Sequence, residues 1–213
     1  MSSIEVPTLK TQRLILRPFS LEDADEVYRN FASDEQVTRF LAFDPPRNVS
    51  EARDTINTWC MYCSVPAYFH WAIELIPLGE VIGSLRGIVT EATSVASLDA
   101  CIGRPWWNQG LMTEALAAVM PFFFNTLSIS CLTACHHPDC PAAGHILRNF
   151  GFQPEGIRRR QGYSNQGVYD EICYSLLRSE YEQIQEDPDR ALWETLYQKA
   201  LSVLNPREIS SCI

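Results

Sequence analysis

The sequence predicts a mixed α/β (α+β) fold: a mostly antiparallel central sheet with helices on its faces and a C-terminal helical extension. Three observations predict it. Three strand-like runs, at 68–76, 81–89 and 95–102, follow one another across short polar turns, as in an antiparallel meander. The apolar period then changes from two to 3.6 at 110–125. Strand patterns return at 129–135, 152–161 and 169–177, with a short helix at 142–150 between the first two.

The chain opens with an extended segment at 14–19, closed by Pro18. Ser20 with Asp23 three residues on reads as a capping box, and Leu21, Ala24, Val27, Tyr28 and Phe31 fall at helical spacing. After a loop with Pro45 and Pro46, Ser50 starts a second helix that runs to about Tyr62, with Ala52, Ile56 and Trp59 on one face. Pro77-Leu78-Gly79 turns the chain between the first two meander strands. In the 110–125 helix, Pro121 lacks an amide hydrogen and predicts a kink or a late irregularity. Gly151 reads as the C-cap of the short helix, and Ser164-Asn165-Gln166-Gly167 as the last turn. Beyond Ser179 a helical region carries a modest stripe of Leu192, Leu196, Ala200 and Val203.

Composition narrows the function. The chain has 213 residues, 26 acidic and 17 basic, for a net charge of −9, and is 46% apolar. That length and composition fit one globular domain with a sizeable core. The acidic balance lacks the basic footprint of a nucleic-acid binder, so no nucleic-acid partner is expected. The longest apolar run, 115–124, is about half a bilayer crossing, so no membrane partner is expected. The first ten residues show no signal peptide, and the eight cysteines are read as free thiols of a cytoplasmic protein.

The most informative stretch runs from Ile102 through Gly103, Trp107, Asn108, Gln109, Gly110, Leu111, Met112 and Thr113 to Ala115. A strand enters a glycine-bearing turn that opens a helix, which aims backbone N–H groups at one spot and forms a phosphate cradle. On local physics alone, a plain turn explains it as well. Neither a P-loop nor a G-x-G-x-x-G fingerprint is present.

Residues 11–178 resemble the GNAT-superfamily N-acetyltransferases, and most of all the branch of ribosomal-protein N-terminal (alanine or serine) acetyltransferases. The opening Thr11-Gln12-Arg13-Leu14-Ile15-Leu16-Arg17-Pro18-Phe19 matches that branch's start. Trp107-Asn108-Gln109-Gly110-Leu111-Met112-Thr113-Glu114-Ala115 resembles its W-G-K-G-Y-A-T-E-A loop, and Ile146-Leu147-Arg148-Asn149-Phe150-Gly151-Phe152 its V-L-E-K-L-G-F helix end. Glu155-Gly156, Tyr169-Asp170-Glu171 and Tyr174-Ser175-Leu176-Leu177 match its closing strands. The resemblance implies an acetyltransferase domain over 1–178, an extension over 179–213, and acetyl-CoA as co-substrate without a metal. It implies pyrophosphate contact by the backbone of Asn108, Gln109, Gly110, Leu111, Met112 and Thr113. It also implies a pantetheine arm beside Ala100, Cys101 and Ile102. Arg148 or the basic run Arg158-Arg159-Arg160 is expected to offset the charge of the cofactor.

Two departures stand out. Met112 is large where the branch keeps a small residue. Cys140 and Ala143 replace the asparagine and serine of an N-x-x-S pattern whose serine is a candidate proton donor. Acetyl transfer to a neutral amine needs a base for the ammonium proton and gains from an acid for the thiolate. The candidate bases are Asp99, Glu74 and Glu171; the candidate acids are Tyr169, Tyr163 and Tyr174. Asp99 shares a strand face with Ser97.

The expected partner is a primary amine, either a protein N-terminus or a small molecule, and the protein is expected to be a monomer or homodimer. Two alternatives stay open: a CoA-binding sensor that has lost catalysis, and a zinc-binding module. The second rests on Cys131, Cys135, His136, His137, Asp139 and Cys140, with Cys60-x-x-Cys63. Residues four apart on one strand lie too far apart for one tetrahedral ion, so no metal is expected there.

Overall fold

The computed structural model describes residues 5–186. Among them, eight strands form one sheet in the order β1-β2-β3-β4-β5-β6-β8-β7. The strands are β1 (Leu9–Lys10), β2 (Leu14–Pro18), β3 (Tyr68–Leu75), β4 (Glu80–Thr90), β5 (Val95–Ile102), β6 (Cys131–His136), β7 (Gln153–Ser164) and β8 (Gly167–Leu177). Every neighbouring pair is antiparallel except β5 with β6. The meander is therefore present, and the crossover from β5 to β6 makes the sheet mixed.

The two sheet faces carry separate cores. On one, Leu14, Leu16, Phe69, Trp71, Ile73 and Leu85 pack against α4 (Leu111–Pro121), α5 (Pro141–Asn149) and α6 (Arg178–Glu186). On the other, Ala72 and Val81 meet α1 (Ala24–Val27) and α3 (Val49–Tyr62) through Val27, Ile56 and Trp59. Period-two alternation along β3 sends its large side chains to the first core.

The cap at Ser20 is a full capping box: Asp23 Oδ2 accepts from the Ser20 amide at 2.8 Å, and Ser20 Oγ accepts from the Glu22 amide at 3.2 Å. The second helix starts earlier than Ser50. Asn48 caps it, with its Oδ1 accepting from the Glu51 amide at 3.0 Å. A helical turn not anticipated from sequence, α2 (Glu35–Thr38), is capped by Asp34. Pro121 ends α4, and residues Phe122–Thr126 continue as a π-helical turn, which is the late irregularity expected from the missing amide hydrogen.

β8 ends at Leu177 and α6 starts at Arg178, so residues 178 and 179 both belong to α6. Tyr181 and Ile184 of α6 are buried in the first core, and Tyr181 stacks on Phe124 with ring centroids 4.4 Å apart. The Leu192–Val203 stripe lies outside the described residues.

Candidate active site

The parallel pairing of β5 with β6 covers only Val95–Leu98 against Cys131–Ala134. Beyond that point β6 pairs with β8 alone, through Cys135 and His136, while Asp99, Ala100, Cys101 and Ile102 pair with β4 alone. The two strands splay, leaving a sheet edge inside the sheet. The wedge opens into a cleft of about 200 Å³ lined by Leu98, Asp99 and Ala100, by Ala134 to His137, and by Met112 and Leu116 of α4. Cys140, Ala143, Ile146 and Leu147 of α5 complete that side, and Phe40, Leu41 and Tyr169 close the far end.

The loop before α4 stands at the mouth of this wedge. Asn108 and Gly110 both have positive φ, +60° and +71°. Gly110 is the left-handed N-cap of α4, a backbone shape that costs a Cβ-bearing residue about 1–2 kcal/mol. The first intrahelical bond runs from the Glu114 amide to the Gly110 carbonyl at 3.0 Å. The amides of Leu111, Met112 and Thr113 precede it, so they lie among the donors that a helix cannot satisfy itself. Leu111 buries its side chain in the core, leaving only its backbone for a ligand.

A buried ion pair holds this loop from below. Glu114 is 1% exposed and receives the Arg13 Nε at 2.6 Å and the Arg13 backbone amide at 2.9 Å. Arg13 Nη1 reaches on to the Gln109 carbonyl at 3.0 Å. From the other side, Trp107 Nε1 donates to the Ile102 carbonyl at 2.7 Å, and Gln109 Nε2 donates to the Pro105 carbonyl at 2.8 Å.

The far end is built by contacts distant in sequence. The Asn165 side chain donates to the carbonyls of Thr38 and Phe43 at 3.0 and 3.1 Å, and its amide donates to the Leu41 carbonyl at 2.8 Å. The β7–β8 turn is thereby fastened to the 38–43 loop, which carries Phe40 and Leu41 into the cleft. His137 stacks on Phe40 (4.4 Å between centroids) and meets Tyr169 at a tilt (4.5 Å).

A short parallel pair, a splayed edge and free helix amides at the wedge mouth are the features that a strand-like arm ending in phosphates requires. The profile of the acetyltransferase (GNAT) domain family matches residues 13–153. The chain belongs to the GNAT acetyltransferase family. It is 30% identical to the N-acetyltransferase p20 of Bacillus licheniformis over 175 residues, 82% of this chain and 98% of that protein. It is 25% identical to the ribosomal protein uS5-alanine N-acetyltransferase of Escherichia coli over 74% of this chain and 84% of that one. A GCN5-related N-acetyltransferase from Brucella melitensis superposes with a TM-score of 0.77 at 20% identity, over 92% of this chain and 86% of that one.

The residues fit the GNAT co-substrate acetyl-CoA. The apolar lining from Met112, Leu116, Ala134, Ile146 and Leu147 suits the pantetheine arm, the β5 edge offers Ala100 to Ile102, and the α4 amides offer donors for the pyrophosphate.

The structure brings together Asp99, Met112, Cys140 and Tyr169, which all line the cleft. Met112 packs against the core while forming part of the wall. Cys140 is the N-cap of α5 and makes no side-chain cap bond. Cys101 lies beneath β4, its Sγ 3.5 Å from Ser84 Oγ, and burial pushes its thiol up. Glu74 stands elsewhere, its Oε2 accepting from Arg17 Nε at 2.6 Å in a group with Asp23. Arg148 faces β8, donating to the Tyr174 hydroxyl at 2.8 Å. Tyr174 is in the core, and Tyr163 is exposed on β7. Glu171 pairs with Arg158 at 2.8 Å.

Two histidines were missed as cleft residues, because sequence reasoning weighed them only as metal ligands. His136 is 8% exposed; its Nδ1 lies 2.8 Å from the His137 carbonyl and its Nε2 is buried without a partner. The bond to a carbonyl places the proton on Nδ1 and a lone pair on Nε2. His137 Nδ1 accepts from the Asp139 amide at 3.0 Å, so its neutral form carries the proton on Nε2. The available signal was their place at the end of the strand that walls the splay.

Proposed function

We propose that this GNAT enzyme moves the acetyl group of acetyl-CoA to a primary amine, a protein N-terminus or a small amine, by direct attack within a ternary complex. The observation that supports this reading best is the wedge itself, with an anion cradle at one end and an acid-bearing aromatic chamber at the other.

Acetyl-CoA supplies an activated thioester. This chain's own residues do the rest. Backbone amides of the splayed β5 edge polarise the carbonyl. Asp99 draws the ammonium form of the acceptor into the cleft. Its carboxylate is shared with Arg86, 2.5 Å away on the paired strand, and this partner limits it as a proton acceptor. The proton is released through water near Asp99 and the His136–His137 pair. Tyr169 is the candidate acid. Burial raises its pKa, which keeps the hydroxyl protonated for donation to the leaving thiolate. Ala143 has no hydroxyl to contribute, and Tyr169 brings a hydroxyl to the same cleft.

The experiment is free-thiol release from acetyl-CoA across a panel of peptides with free N-termini, polyamines and amino sugars. The expected result is turnover with one acceptor class, with kcat lowered at least tenfold in Tyr169→Phe and KM for the amine raised in Asp99→Asn. Acetyl-CoA binding without turnover on any acceptor would replace this reading with that of a CoA-binding sensor.

A further inference from the structure

We infer that Cys135 and Cys173 form a redox-modification site, a cross-strand disulfide between β6 and β8 made by exchange with a low-molecular-weight disulfide. The two residues are directly paired in the antiparallel ladder, where facing side chains have Cβ atoms about 4.5–5.5 Å apart. Their sulfurs are 2.7 Å apart. Facing Cα atoms of such a ladder stand about 4.5–5.5 Å apart, within the span that a disulfide bridges.

The surroundings divide the roles. Cys135 is half-buried and lines the cleft, so a small disulfide reaches it. Cys173 is 3% exposed and is reached only from Cys135. Arg158 Nη2 lies 3.1 Å from Cys135 Sγ, where it stabilises a forming thiolate, and Glu171 holds that guanidinium at 2.8 Å. Burial beside a second thiol pushes Cys135 up to about 12, so exchange is slow near neutrality.

Chemically, the Cys135 thiolate attacks one sulfur of the small disulfide, forming a mixed disulfide and expelling one thiolate. The Cys173 thiolate then attacks the Cys135 sulfur, closing the cross-strand bond and expelling the second thiolate. Two protein thiols are oxidised, the small disulfide is reduced to two thiols, and the two cysteine protons end on the leaving thiolates.

The same cluster raises zinc as the competitor, since Cys135, Glu171 and Cys173 present ligand atoms within 4.8 Å of one another. Two thiolates on one tetrahedral zinc stand about 3.8 Å apart, given bonds of about 2.3 Å. The observed sulfurs are too close for that, and the Arg158 guanidinium already supplies the positive charge.

The test incubates the full-length protein with oxidised glutathione for hours, then alkylates the denatured chain and maps its peptides. The expected result is the loss of two alkylatable thiols per chain, with the peptide holding Cys135 joined to that holding Cys173. In Cys173→Ser, glutathione is expected to stay attached to Cys135; in Cys135→Ser, Cys173 is expected to stay unmodified. Full alkylation of both residues after wild-type treatment, a persistent glutathione adduct on wild-type Cys135, or stoichiometric zinc that Cys135→Ser loses would each overturn the proposal. The readout is covalent and needs no transferase activity.

Discussion

Glu114, on the first turn of α4, and Arg13, just before β2, meet at 2.6 Å with almost no exposure to solvent. The pair ties the segment before β2 to the loop before α4 through the Gln109 carbonyl. Removing one partner of a buried pair strands the other charge and costs about 3–5 kcal/mol. Glu114→Gln is therefore expected to lower stability by several kcal/mol in urea denaturation. It is also expected to raise KM for acetyl-CoA more than KM for the amine.

Gly110 makes a separate prediction about the same loop. Its φ of +71° penalises any Cβ. Gly110→Ala is expected to cost about 1–2 kcal/mol if the turn persists. If the turn relaxes instead, the amides of Leu111 to Thr113 move off target and acetyl-CoA affinity falls at least tenfold. Isothermal titration with acetyl-CoA, beside a denaturation curve, reads both.

His70 predicts an acid limb of stability. It is 4% exposed among Phe19, Trp59 and Tyr68, and its Nδ1 has no partner. Burial, aided by nearby Arg86, lowers its pKa from 6.5 to about 3. Above pH 6.5 both folded and unfolded chains hold it neutral, so its full contribution is present. Below 6.5 the unfolded chain takes a proton that the folded chain refuses, and stability falls by up to about 1.4 kcal/mol per pH unit until the folded pKa is reached. The difference between the wild type and His70→Leu, measured by denaturation from pH 7 to 5, is expected to shrink by that slope. A constant difference refutes it.

Asn165 predicts a change confined to the acceptor end. Asn165→Ala removes two side-chain hydrogen bonds to the 38–43 loop, each worth about 1 kcal/mol. KM for the amine is expected to rise severalfold while KM for acetyl-CoA stays within twofold. Steady-state kinetics with each substrate varied in turn decides.

Legibility in the sequence followed the range of the interactions. The strand at 95–102 was read to its ends because its alternation and turns are local. Ser20 and Asp23 were read as a cap because the reciprocal bonds span three residues. The start of α3 was placed at Ser50, one residue late, because the capping bond from the Glu51 amide to Asn48 Oδ1 shows only in the fold. The loop before α4 stood out through its motif, and Asp99 and Tyr169, which line the cleft, through residue type. The Asn165 clasp spans over a hundred residues, and the Cys135–Cys173 pairing needs the β6–β8 register. Neither has a local signature. Glu74 was a candidate base by residue type, and its pairing with Arg17 on the neighbouring strand spans 57 residues and has no local signature.

The splay between β5 and β6 has a consequence for abundance as well as chemistry. Along Asp99 to Ile102 the sheet is finished on one side only, which leaves an edge open to a strand-like guest. A ligand that binds only the folded chain adds RT ln(1 + [L]/Kd) to its stability, about 2.7 kcal/mol at a hundredfold excess over Kd. When acetyl-CoA runs low, the folded chain is therefore expected to be less stable and to be lost sooner to proteolysis.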